Sequence, residues 1–94
     1  MTKLTMKLEA IHDSRKSFYG KAIVIYDYVD SMETATMKLV SYDTEVASIC
    51  EGVATVNGTY SQTTLRHIKE FLKQNGFKAD SKSQIEKDYM KEGL

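Results

Sequence analysis

The stretch 60-YSQTTLRHIKEFLKQNGF-77 reads as one complete helix, and its place behind a strand-rich half decides the fold class. Ser61 is a good N-cap, because its hydroxyl accepts from an amide two or three residues on. Leu65, Ile68 and Leu72 fall at i, i+3 and i+7, and Phe71 widens the apolar stripe to about 120°. Asn75-Gly76 is a stop in which Gly takes the left-handed conformation and Phe77 folds back on the last turn. The predicted helix therefore covers residues 61–75. Downstream, 81-SKSQIEKDYMKE-92 has a cap in Ser81 or Ser83 and places Ile85 and Tyr89 four residues apart, which predicts a short second helix.

Upstream the period changes from 3.6 to 2. The run 21-KAIVIYDY-28 is rich in β-branched and aromatic residues, with Ala22, Val24, Tyr26 and Tyr28 on one face and Ile23, Ile25 and Asp27 on the other. The polar segment 29-VDSMETAT-36 suits a hairpin connection. Residues 37–44 then alternate Met37, Leu39 and Ser41 against Lys38, Val40 and Tyr42. Residues 45–52 set Val46 and Ser48 opposite Ala47 and Ile49, and Gly52 reads as a turn. The pair 57-NG-58 is a strong short hairpin signal, separating 53-VATV-56 from Thr59 and Tyr60. In the first twelve residues Leu4, Met6 and Leu8 alternate with Lys3, Thr5 and Lys7, which predicts one more strand. Strands first and helices last give an α+β fold: an antiparallel sheet of about four to five strands packed against one main helix. The 94 residues make a single domain, 1–94, with 81–94 as a loosely attached short helix.

Composition excludes much. Hydrophobic residues at 41%, with six Tyr and three Phe, suit a globular domain and are too many for a disordered one. The single Cys50 forbids an internal disulfide and an all-cysteine zinc site, and points to a reducing, cytoplasmic setting. The start MTKLTMKLEA lacks a signal-peptide core, and no run approaches the roughly 18 apolar residues of a membrane span. The net charge of zero hides an acidic middle. Residues 1–22 carry +3 (five cations, two anions), residues 23–58 carry −5 (one against six) and residues 59–94 carry +2 (seven against five).

No enzyme constellation stands out. Ser61, Thr63 and Thr64, with Arg66 for charge, would suit an anion at a helix start, but no Gly-rich loop precedes them and capping is the ordinary account. Arg66, Lys69 and Lys73 share one outer face, where Glu70 is placed to pair with Lys73 or Arg66. His12 and His67 lack metal-ligand spacing, so neither a metal nor another cofactor is expected. Cys50, inside the apolar run 46–50, reads as a buried, inert thiol. His67 borders the apolar stripe, where a packed ring with one bonded nitrogen is the plain account. The tyrosines weigh more. Tyr26, Tyr28 and Tyr42 among Asp27, Asp30, Asp43 and Glu45 would make an acidic, aromatic surface for docking on a basic protein groove. The alternative surface is Thr64, Arg66, His67, Lys69 and Lys73, which would track a nucleic-acid backbone.

Three segments carry a resemblance. Together 17-SFYGKA-22, 39-LVSYDTEVA-47 and 60-YSQTTLRHIKEFLKQNGF-77 resemble a domain family of unknown function. It is carried by phages, prophages and conjugative elements of Gram-positive bacteria. The similarity runs over roughly residues 14–80, and Tyr42, Thr44, Tyr60, Ser61, Thr64, Arg66 and His67 fall on its pattern. Members are short cytoplasmic proteins or small modules without an assigned activity, so no catalytic residue is carried over. The resemblance implies a non-enzymatic phage or mobile-element protein that evades a host defence. The expected type is an anti-CRISPR inhibitor that binds a CRISPR effector nuclease, as monomer or dimer. An accessory protein of replication or transfer is the other expectation.

Overall fold

The computed structural model describes residues 2–12, 18, 20–29, 34–59 and 61–90, without the side chains of residues 2, 3, 28, 29, 34 and 35. Asp30 and Tyr60 lie outside the described residues, as do positions 30–33 of the first connection. The chain runs β1 (Thr2–Lys7), β2 (Ala22–Val29), β3 (Thr34–Ser41), β4 (Thr44–Cys50), β5 (Val53–Val56), α1 (Gln62–Gln74) and α2 (Lys82–Tyr89). The five strands form one antiparallel sheet in chain order, β1-β2-β3-β4-β5, and the predicted α+β class is the observed one. Among the described residues, no helix is long and apolar enough to cross a membrane.

Period-2 alternation decides which face is buried. Ala22 and Val24 of β2, Leu39 and Ser41 of β3, Ala47 and Ile49 of β4, and Ala54 and Val56 of β5 all turn to the helix side. Val46 breaks the alternation and is buried too. Leu39 opposes Ala47 and Val40 opposes Glu45, so Val46 is the extra residue of a β-bulge that puts two neighbours on the core face. This corrects the expectation that Val46 and Ser48 share a face, and it leaves Cys50 exposed rather than buried. Cys50 is on the open face, where the Thr36 hydroxyl donates to its sulfur at 3.4 Å.

The helix α1 lies across β3 and β4 and buries Leu65, Ile68, Phe71 and Leu72 on them. Each such side chain contributes about 1.5–3 kcal/mol on leaving water. Its ends are those of the sequence reading. The Thr64 amide donates to Ser61 Oγ at 3.2 Å. Gly76 takes φ +82, its amide donates to the Lys73 carbonyl, and the Phe77 amide donates to the Leu72 carbonyl. That pair of bonds is a Schellman stop. The second helix, α2, packs against β5 with Ile85 fully buried, and Tyr89 Oη donates to the Lys78 carbonyl at 2.8 Å.

Two turns differ from expectation. Tyr42 and Asp43, read as the end of a strand, form a two-residue turn with φ 49° and 70°, as does Glu51-Gly52 with φ 51° and 78°. Positive φ at both central residues matches the right-handed twist of the flanking strands. Asn57-Gly58 makes no hairpin. The Asn57 amide donates to the Val46 carbonyl and its side chain to the Glu45 carbonyl. The chain thus stays beside β4 and then enters α1, because neither residue adopts the positive φ that a tight hairpin requires.

Candidate functional site: the β3–β4 hairpin and its histidine support

Ser41 ends β3 on the core face, immediately before the turn, so its hydroxyl needs a partner inside the protein. It finds two on α1. Ser41 Oγ lies 2.8 Å from His67 Nδ1 and 3.2 Å from Thr64 Oγ1. Ser61 Oγ donates to Thr64 Oγ1 at 3.3 Å while accepting the Thr64 amide. One proton direction serves the whole row: Ser61 donates to Thr64, Thr64 to Ser41, and Ser41 to His67 Nδ1. In that arrangement Nδ1 accepts, so a neutral ring carries its proton on Nε2.

Aromatic rings enclose the imidazole. Phe18 meets it edge-on at 4.6 Å between centroids, and the Tyr42 ring stacks on it at 5.8 Å and 30°. Ser41 is 2% exposed and His67 1%, whereas Tyr42 is 51% exposed. A serine oxygen 2.8 Å from an imidazole nitrogen has the spacing of a nucleophile and its base. Here the Thr64 hydroxyl already occupies the serine, and both groups are shut away from solvent. What the row does is brace the hairpin. Tyr42 is held in a left-handed conformation that costs a non-glycine residue about 1–2 kcal/mol. Its amide donates to the Lys21 carbonyl at 3.0 Å and its ring rests on His67. Beside it, Gly20, Lys21, Ile23, Val40, Tyr42 and Asp43 line a hollow of about 190 Å³ on the open face.

The expected acidic, aromatic surface divides. Tyr42, Asp43 and Glu45 are exposed together at the β3–β4 end of the sheet. Tyr26 instead faces the helix side, where it packs against the core, while Asp27 takes the open face. In the regular stretch of β2, alternation sends these neighbours to opposite faces. Asp27 Oδ1 is buried without a hydrogen-bond partner. Tyr28 belongs to β2, but its side chain is not described.

The expected basic surface divides as well. Thr64 and His67 turn inward as braces, and Arg66, Lys69 and Lys73 remain on the outer side of α1. With His12 and Glu70 these three line a shallow hollow of about 40 Å³. Glu70, expected to pair with Lys73 or Arg66, is buried and turns its carboxylate to the segment after β1. Glu70 Oε1 accepts the His12 amide at 2.6 Å, and Oε2 meets His12 Nδ1 at 2.8 Å and Gln74 Nε2 at 2.8 Å. Gln74 Nε2 also donates to the Glu9 carbonyl at 2.6 Å. Burial by itself would raise the Glu70 pKa. The hydrogen bonds from the His12 ring, Gln74 and the His12 amide, together with the His12 charge, outweigh it and hold the carboxyl below its ordinary value.

Residues 6–87 match the model of a family of unknown function (DUF8033), a span that takes in the hairpin, the histidine row, all of α1 and most of α2. The chain belongs to this family. No curated protein and no solved structure shows significant similarity to it. In this DUF8033 chain, Ser41 and the His12–Glu70 pair are the residues that sequence reasoning passed over. Ser41 had a signal, since a hydroxyl on the Met37–Leu39 face must be satisfied inside the protein. His12 and Glu70 are 58 positions apart, and no local pattern joins them.

Proposed function

We propose that this chain is a non-enzymatic binding protein whose working surface is the β3–β4 hairpin, with Tyr42 as anchor and Asp43 and Glu45 as its charges. The observation that carries the reading is Tyr42 itself. It is a half-exposed aromatic in a strained backbone position, seated on a buried histidine. Ordering the anchor before contact removes part of the entropy lost on association, and centrally placed tyrosines commonly dominate binding energy. The carboxylates suit a basic groove and would steer approach to it. The enclosed Ser41–His67 pair favours a bracing role over a catalytic one.

The partner class follows from the resemblance to small domains of phages and mobile elements: a CRISPR effector nuclease, whose nucleic-acid groove is basic. Purified protein titrated against such nucleases should block DNA loading or cleavage, and Tyr42→Ala should weaken binding about tenfold or more. If no such nuclease is bound and cleavage continues, the inhibitor reading is wrong. Loss of binding in Asp43→Lys with unchanged folding would place the contact at the hairpin.

The hollow between His12, Arg66, Lys69 and Lys73 favours a second reading, binding of a nucleic-acid backbone. Three phosphate contacts on duplex DNA give a log–log salt slope of about −2.7. Replacing Arg66 and Lys69 by Ala should make that slope shallower by about two contacts' worth. A slope that does not move refutes the assignment.

A further inference from the structure

Strand β1 is an edge of the sheet. Among the described residues it pairs with β2 alone, so its outer row of amides and carbonyls has no strand beside it. Which amides face out follows from one bond. The Leu8 amide donates to the Ala22 carbonyl at 2.9 Å, and antiparallel ladders alternate. Met6 and Leu4 therefore also point their amides at β2, and Thr5 and Lys7 point theirs outward. The side chains alternate with them. Leu4 and Met6, opposite Tyr26 and Val24, lie on the helix side, yet they are 48% and 51% exposed because α1 sits over β3 and β4. Thr5 and Lys7 take the open face and are exposed.

An edge this long with two large uncovered apolar side chains invites another strand. Its charge selects the strand. TKLTMK holds two lysines and no carboxylate. A second copy paired antiparallel about Thr5 would set Lys3 opposite Lys7 twice over, two like-charged pairs against the single carboxylate, Asp27, that each copy's β2 places opposite Lys3. An extended segment that alternates carboxylates with apolar residues meets both faces. Its carboxylates lie on the open face with Lys7, its apolar residues cover Leu4 and Met6, and its main chain takes the outward amides.

We propose that the outer edge of β1 binds an extended, acidic-and-apolar segment of a partner protein as a sixth, antiparallel strand. This surface is separate from the β3–β4 hairpin, so the two readings succeed or fail independently.

The probe is a short end-capped peptide alternating Glu and Val, labelled and titrated with the full chain by fluorescence anisotropy. Binding should be saturable and should weaken as salt is raised. Thr5→Pro removes an outward donor while sparing every β1–β2 bond, so it should lower affinity about tenfold with Tm little changed. Thr5→Val, which keeps the amide, should bind as the parent does. Leu4→Glu leaves the backbone intact and should also lose the peptide, which keeps the test decisive if the proline variant folds poorly. Tyr42→Ala should bind the peptide unchanged. Failure of the Glu/Val peptide to bind, or equal binding of a Lys/Val peptide, overturns the proposal. A concentration-dependent dimer in sedimentation that Thr5→Pro abolishes also overturns it, in favour of a second copy at this edge.

Discussion

Two polar clusters sit on the buried side of α1 less than one turn apart, and they are built on opposite principles. The His67 cluster is a row of hydroxyls ending on an imidazole, walled by Phe18 and Tyr42. The Glu70 cluster is a carboxylate gripped by a half-exposed histidine and a glutamine. The first links neutral hydroxyls and an imidazole, with no carboxylate in it among the described residues, and it stiffens a turn. The second keeps a buried carboxylate by giving it three donors among the described residues, and it ties the segment after β1 to the helix. Their difference teaches that buried polar groups can be satisfied in two ways, by a relay of neutral hydroxyls or by several donors converging on one charge.

The largest effect should come from emptying the first cluster. His67→Ala opens a cavity, leaves the Ser41 hydroxyl without its acceptor, and takes away the surface under Tyr42. It should cost about 3 kcal/mol or more in urea unfolding. A loss below about 1 kcal/mol would mean that the row does not hold the hairpin.

Glu70→Gln tests the second cluster and should cost about 2 kcal/mol at neutral pH, because hydrogen bonds to a charged group are lost. The sign of its pH dependence follows from the depressed pKa. The folded protein holds this carboxyl below the unfolded value of about 4.5, so its contribution is present above that pH. It disappears as pH falls through the lower, folded value. Stability of the parent should therefore fall more steeply on that acid limb than stability of Glu70→Gln. Parallel curves would show that Glu70 is not a favoured carboxylate and would erase the contrast between the clusters.

The smallest effect belongs to the residue that does two jobs. Ser61 caps α1 and starts the hydroxyl row. Ser61→Ala should cost about 1 kcal/mol as a cap. A cost near that of His67→Ala would mean that the row acts as one cooperative unit, which a double-mutant cycle with Ser41→Ala would measure.

The helix was legible in its own letters: Ser61 at the start, Asn75-Gly76 at the stop and Leu65, Ile68, Phe71 and Leu72 between them. The strand faces of β2, and of β3 as far as Ser41, were legible for the same reason, a local period. The Tyr42-Asp43 turn was hidden, because tyrosine gives no local signal for positive φ and the position is held by the Lys21 carbonyl and the His67 ring. Asn57-Gly58 gave the converse error, a favourable turn pair that the chain does not use as one.

By itself, then, the sequence determined the α+β class, the ends and buried stripe of α1 and the alternation of the strands, since each depends on neighbours a few residues apart. Only the tertiary structure decided that Ser41, Thr64 and His67 form one row, that Glu70 belongs to His12, and that Tyr42 is an outward anchor while Tyr26 packs on the core. Those outcomes depend on pairings across 23, 26 and 58 positions, and on a bulge that resets one strand. Contacts so distant in the chain leave no period in it.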